Sequence, residues 1–260
     1  MIERFARLGY ASIGVVYIIV GGLAAFAGLG RGGSTGGHED AFTLILRQPF
    51  GRAILFIIAL GLTGYTLWRL ISAVADTDAR GSDAKGVGVR IGSFVRGILY
   101  AAITIEVVRL LMHRGGGGES SDARAKHWTA RVMEEPFGGW LVVATGLGIV
   151  GYGAYQLYKA WESKLSKRLH LEGLEPELRR KVIAVSRFGI AARGVVFFVI
   201  GGSLVVAGVR HNPDAAQGTS GAMRQIAGPL DGWLLVLVGV GLAAYGVYAL
   251  ANARYRSIRT

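Results

Sequence analysis

Six stretches of roughly twenty mostly apolar residues, the length a helix needs to cross a hydrocarbon layer of ~30 Å, recur along the chain. They lie near 8–29, 50–75, 91–113, 137–161, 188–209 and 230–251. The runs are continuous rather than alternating, which reads as helix. In lipid a helix satisfies its own backbone hydrogen bonds, whereas an open sheet cannot. Glycine and proline punctuate the boundaries, as at Gln48-Pro49 and Gly228-Pro229. Charged residues make up 18% of the chain, below the quarter or so usual in a soluble domain. Its 52% hydrophobic content excludes intrinsic disorder. The absence of cysteine excludes a disulfide framework, a thiolate metal site and a cysteine nucleophile.

The first stretch has early arginines and Ala25-Phe26-Ala27, the outline of a secretory signal with its cleavage site. Its internal counterparts argue for a span instead. Arg7-Leu8-Gly9 aligns with Arg90-Ile91-Gly92 and Arg187-Phe188-Gly189. Gly14 then matches Gly97 and Gly194, and Tyr17 matches Tyr100 and Phe197, without a gap. In the even-numbered stretches Pro49-Phe50-Gly51 matches Pro136-Phe137-Gly138 and Pro229-Leu230-Asp231. Tyr65, Tyr152 and Tyr245 follow in register, and then Trp68, Tyr155 and Tyr248. Such self-similarity marks a chain built of repeated units.

These residues, with the Gly-x-x-Gly-Tyr runs ending at Tyr65 and Tyr152, resemble the bacterial membrane family catalogued as domain of unknown function 1206. The third copy departs from the pattern at Leu230-Asp231 and at Ala244. The resemblance covers nearly the whole chain and implies three tandem two-helix units; it supplies no activity. The expected fold is therefore an all-α integral membrane protein of six transmembrane helices. It comprises three parallel helical-hairpin repeats at 4–81, 87–165 and 184–260, in a pseudo-threefold arrangement.

The net charge of +12 is distributed by side. Nineteen of the 29 lysines and arginines fall at the termini, the inter-hairpin loops and the adjoining helix ends, and ten fall around the intra-hairpin loops. The basic side faces the cytoplasm, so both termini are expected inside a bacterial plasma membrane. The surplus charge is expected to meet anionic lipid rather than nucleic acid. Near Pro176-Glu177-Leu178-Arg179-Arg180-Lys181 a proline-started helix is expected to lie at the interface before the fifth span.

Gly14, Gly21 and Gly28 are spaced by seven, as are Gly194, Gly201 and Gly208. Such stripes let helix backbones approach closely in lipid. The middle copy reads Gly97, Thr104, Leu111, so it packs differently or leaves a gap. Tyr65, Tyr152 and Tyr245 suit either an interfacial aromatic belt or an aromatic constriction at the centre of the bundle.

Glu106 is an acid well inside a predicted span, where its counterparts are Leu23 and Ser203. Intramembrane carboxylates face the bundle interior and have partners. Arg109 and His113 follow on the same helical face, which outlines an ion or proton pathway or a local Glu–Arg pair near the outer interface. Arg69, Arg96 and Arg193 are candidates for anion or lipid-headgroup contacts or for snorkelling. His38-Glu39-Asp40 is a weak candidate for a divalent ion or a pH sensor. No hydrolase elbow, phosphate loop or metalloprotease motif occurs, so no enzyme, cofactor or metal is expected. Two functions compete. One is a structural or accessory membrane protein that binds lipid, a partner protein or its own copy. The other is a small channel or transporter with Glu106 in its pathway.

Overall fold

A computed structural model describes residues 2–74, 84–112, 120–162, 175–228 and 232–255; helices joined by short turns make up these residues, with no strand among them. Each repeat contributes a long helix, a short one and a second long one. The first comprises α1 (Ile2–Gly28), α2 (His38–Leu46) and α3 (Gly51–Val74). The second comprises α4 (Ala84–Met112), α5 (Ser121–Met133) and α6 (Gly138–Trp161). The third comprises α7 (Pro176–Arg210), a 3-10 turn (Pro213–Ala215), α8 (Thr219–Ala227) and α9 (Trp233–Tyr255).

Five of the long helices, α1, α3, α6, α7 and α9, are long and apolar enough to cross a membrane. α4 has the length but carries Arg90, Arg96, Glu106 and Arg109. Two expectations need correction. The interfacial helix at Pro176 does not exist as a separate element, because α7 runs unbroken through 35 residues. No proline or glycine interrupts Glu177 to Phe188, so nothing turns the chain. The intra-hairpin segments are also more than loops, since α2, α5 and α8 fold within them.

The second long helix of each repeat lies on the first long helix of the next: α3 on α4, α6 on α7, and α9 back on α1. α1 also packs on α3, and α7 on α9. Among the described residues α4 and α6 share no extensive packing. The packed order therefore runs α4, α3, α1, α9, α7, α6, and its two ends belong to one hairpin.

Glycine explains two of these interfaces. The α1 stripe meets a second stripe on α9 and the residue before it: Gly14 faces Gly246, Gly21 faces Gly239 and Gly28 faces Gly232. On α6 and α7, Gly153 faces Gly194, Gly146 faces Gly201 and Gly139 faces Gly208. A Cβ built on Gly201 would stand 2.7 Å from the Gly146 carbonyl oxygen, and one on Gly208 2.8 Å from that of Gly139. Lipid tails supply no hydrophobic drive between helices, so this close dispersion contact holds the pairs together. α4 meets α3 through side chains instead, with Gly97 against Leu70.

The repeated motifs acquire physical roles. Arg7 donates to the carbonyl of Arg254 at 3.3 Å, Arg90 to that of Val74 at 2.9 Å and Arg187 to that of Trp161 at 3.4 Å. These three acceptors are equivalent positions. Each Arg-x-Gly arginine thus caps the C-terminal carbonyls of the neighbouring repeat, where a cation is also favoured by the helix dipole. Phe50 and Phe137 adopt left-handed φ of 62° and 63°, turning the chain from a short helix into a span. The next residue presses on the carbonyl of Ile45 or Val132, where only glycine fits.

Candidate functional site

The interior where the repeats converge is built of aromatic pairs. Tyr17 meets Tyr245 and Tyr65 meets Tyr100, with ring centroids 4.8 Å apart in each case, and Tyr152 meets Phe197 at 5.2 Å. All three are edge-to-face and join equivalent positions of successive repeats. Such pairs contribute about 0.5–1.5 kcal/mol beyond their burial. The tyrosine positions expected to form a belt or a constriction therefore point inward, each against an aromatic of the next repeat. The lipid-facing aromatics are others: Phe50, Phe137, Trp140 and Trp161 are all at least three-quarters exposed.

Arg193 lies among these rings, 6% exposed. Its guanidinium carbon is 4.5 Å from the Tyr245 ring centre, 5.0 Å from Phe197 and 5.3 Å from Tyr17. It donates to the hydroxyls of Tyr245 and, at 3.5 Å, Tyr100. Arg69 is equally buried, donates to Tyr65 and Tyr10 at 2.9 Å each, and stacks on Trp68. Arg96 is half-buried and folds back on its own helix, its Nε donating to the Gly92 carbonyl at 2.7 Å.

The end of the bundle remote from the chain termini is closed by the three short helices. Phe42 of α2 and Met223 of α8 are fully buried in the main apolar core. Asp122 of α5 accepts from the backbone N–H of Gly218 at 2.8 Å and of Gly221 at 2.7 Å, and pairs with Arg224. Ser220 of α8 bonds the Ser121 hydroxyl at 2.7 Å and donates to the Gly36 carbonyl at 3.1 Å. All three intra-hairpin segments are thus tied together.

Glu106 reaches this cap. Arg124 of α5 donates to its Oε2 at 3.1 Å. The equivalent level of the other repeats is also where the outer segment returns. Ser34 N–H donates to the Leu23 carbonyl at 3.2 Å, and Gln217 N–H to the Ser203 hydroxyl at 3.0 Å. Of the Glu106–Arg109–His113 face, Arg109 is exposed on α4, and His113 falls outside the described residues.

His38, Glu39 and Asp40 diverge. Asp40 accepts from Gly36 N–H at 3.1 Å. The His38 ring turns inward onto Tyr17, centroids 5.3 Å apart, and its Nε2 is buried without a partner. Burial, with Arg193 adding to it, pushes the imidazole down to about 4. Burial pushes the Glu39 carboxyl up to about 7, with neighbouring Glu106 adding to it.

The sequence matches the family described as Domain of Unknown Function (DUF1206) three times, over residues 8–76, 91–162 and 188–256. The chain belongs to the DUF1206 family. A relative described as an uncharacterized protein, YxxB of Bacillus subtilis (strain 168), is 33% identical over 258 residues, covering 98% of this chain and 91% of its own. No solved structure matches.

In this DUF1206 chain the middle repeat differs from its neighbours in one respect. Gly9 sits against Tyr65 and Gly61 in the first repeat, and Gly189 against Tyr245 in the third. The equivalent Gly92 meets nothing but its own helix's Arg96, and Gly148, equivalent to Gly61, has open space around it. A gap therefore lies between α4 and α6, within the repeat, whereas the broken stripe packs through side chains against α3, with Gly97 on Leu70.

The DUF1206 cap also makes a direct prediction. Asp122→Ala leaves the N–H groups of Gly218 and Gly221 and the Arg224 guanidinium without their acceptor. The expected cost is about 2–4 kcal/mol, read as a lowered Tm of the detergent-solubilised protein. A Tm unchanged from wild type contradicts the role of Asp122 as the cap's tie point.

Proposed function

We propose that this DUF1206 protein is a non-enzymatic, non-conducting accessory protein of the bacterial plasma membrane that holds an anionic phospholipid between α4 and α6. The observation that carries the reading is the lack of extensive α4/α6 packing among the described residues, with Gly92 and Gly148 left open where their counterparts are filled. Ala144, Gly148, Gly151 and Tyr155 follow one face of α6 and are all exposed, a smooth apolar wall for an acyl chain. Arg96 stands about four residues beyond Gly92, and its terminal nitrogens have no protein partner among the described residues. A phosphodiester is the natural occupant for a half-buried guanidinium beside an acyl groove. We take α4 as the sixth span, the repeats as pseudo-threefold and both termini as cytoplasmic. The thrice-repeated aromatic pair and arginine cap support the symmetry, and the lysine–arginine bias supports the orientation.

Native mass spectrometry of protein purified in mild detergent tests the groove. Wild type is expected to retain one phosphatidylglycerol-class lipid, and Arg96→Glu or Gly148→Trp to lose it. Equal retention in wild type and both variants contradicts the reading. A second reading, transport, is favoured by Glu106 and Glu39 lying together beside Arg124 beneath the cap. The aromatic interior and the cap oppose it. Proteoliposomes are expected to show no proton, potassium or chloride flux above empty vesicles, for wild type and for Glu106→Gln alike. Flux in wild type that Glu106→Gln removes establishes the transport reading instead.

A further inference from the structure

We propose that Arg193 and the tyrosine hydroxyls around it form an occluded binding site for one small inorganic anion, of halide or nitrate size, in the middle of the bundle. A guanidinium is always charged and carries five N–H donors. Arg193 uses two of them, on Tyr245 and Tyr100. Its Nε is buried with no partner, and it makes no ion pair among the described residues. An unpaired cation removed from water is costly, and buried charges are held by counter-charges.

Donors outnumber acceptors around it. The hydroxyls of Tyr100 and Tyr245 accept from Arg193, and the Tyr17 hydroxyl also bonds Arg193 and the Tyr100 hydroxyl. One proton is spent between Tyr17 and Tyr100, which leaves two hydroxyl protons to donate elsewhere. His38 meets Tyr17 edge-to-face with an unpartnered Nε2, and its ring nitrogen is a further group that an anion can use. A cation with an unused N–H and hydroxyl donors, with no carboxylate paired to it among the described residues, describes an anion's surroundings. The rings are at mutual contact distance, so the guest is one or a few heavy atoms rather than a headgroup. That separates the site from the α4/α6 groove, whose guanidinium is Arg96.

Neither the first nor the second repeat reproduces it: Ile13 stands where Arg193 does, and Arg96 bonds its own helix. Arg69, the other buried arginine at the rings, comes from an even-numbered span and bonds Tyr65 and Tyr10, so the arrangement around Arg193 occurs once.

The test uses the full chain in detergent, dialysed into sodium gluconate and titrated with sodium chloride at constant sodium. The 35Cl linewidth reads the bound ion. Wild type is expected to show saturable excess broadening that sodium nitrate reverses. Arg193→Met is expected to lose it, Tyr100→Phe to weaken chloride by about tenfold, and Arg96→Glu to keep it while losing lipid. No saturable broadening in folded wild type overturns the proposal, as does broadening equally strong in Arg193→Met. Nonspecific broadening carried by Arg96 and absent from Arg96→Glu overturns it too. If Arg193→Met does not fold, Tyr100→Phe decides, and an unchanged chloride affinity there overturns the site.

Discussion

Gly201→Val is expected to abolish folded protein, while Gly202→Val, one residue along, leaves it intact. The two substitutions share helix, depth and chemistry. They differ only in what the new side chain meets. A Cβ at Gly201 stands 2.7 Å from both the Gly146 carbonyl oxygen and the Val150 nitrogen, whereas nothing lies within 4 Å of one at Gly202. Backbone cannot rotate aside as a side chain can, so α6 and α7 must separate along the whole stripe. Overpacking of this kind costs more than about 3 kcal/mol, a large part of the roughly 5–15 kcal/mol by which domains are stable. The same contrast is expected between Gly21→Val, which meets α9 backbone, and Gly22→Val, which meets nothing. Monodisperse yield and Tm in detergent read the difference. Equal behaviour of the paired variants contradicts the zipper.

The cap should show opposite pH responses when one of two adjacent residues is removed. His38 titrates near 4 in the fold against 6.5 when exposed, so the unfolded chain binds more protons between those values and stability rises with pH there. Glu39 titrates near 7 against 4.5, so the fold binds more protons between those values and stability falls as pH rises. In the native protein the two slopes oppose each other from about 4.5 to 6.5 and largely cancel. Glu39→Gln removes one slope and leaves a protein that loses about 3 kcal/mol on acidification from pH 6.5 to 4. His38→Gln leaves one that loses a similar amount on raising pH from 4.5 to 7. Denaturation midpoints across that range test this, and slopes of the same sign in both variants contradict it.

The long helices were legible because lipid selects them by length and apolarity alone, and the repeat was legible because it is ungapped within each span. Half of each glycine zipper was read, on α1 and α7. Its partners Gly232, Gly239 and Gly246, and Gly139, Gly146 and Gly153, show the same spacing of seven but stand among many other glycines. The short helices escaped notice because α2 and α8 have only nine residues each. Such segments are held by tertiary burial of residues such as Phe42 and Met223 rather than by a long periodic pattern. Glu106 stands out in the sequence as an acid inside a span, but the partner it meets is Arg124, from another element and 18 residues away. The importance of Arg193 over Arg96 could not be read from register, since they are counterparts. It comes from which helices close around each.

The central claim is that the repeats pack in sequence and the third closes on the first, and one cross-link tests it. The chain has no cysteine, so Arg7→Cys with Arg254→Cys introduces one unique pair. The Arg7 guanidinium reaches the carbonyl of residue 254 at 3.3 Å, so the two positions stand about one arginine side chain apart, a gap for a bismaleimide to bridge. A protease site inserted at Gly116 then cuts the chain between the two cysteines. Treated membranes are expected to yield one band under denaturing conditions after cleavage, because the cross-link keeps the first and last helices joined. Two fragments after treatment, with both cysteines modified, would contradict the closure of α9 on α1.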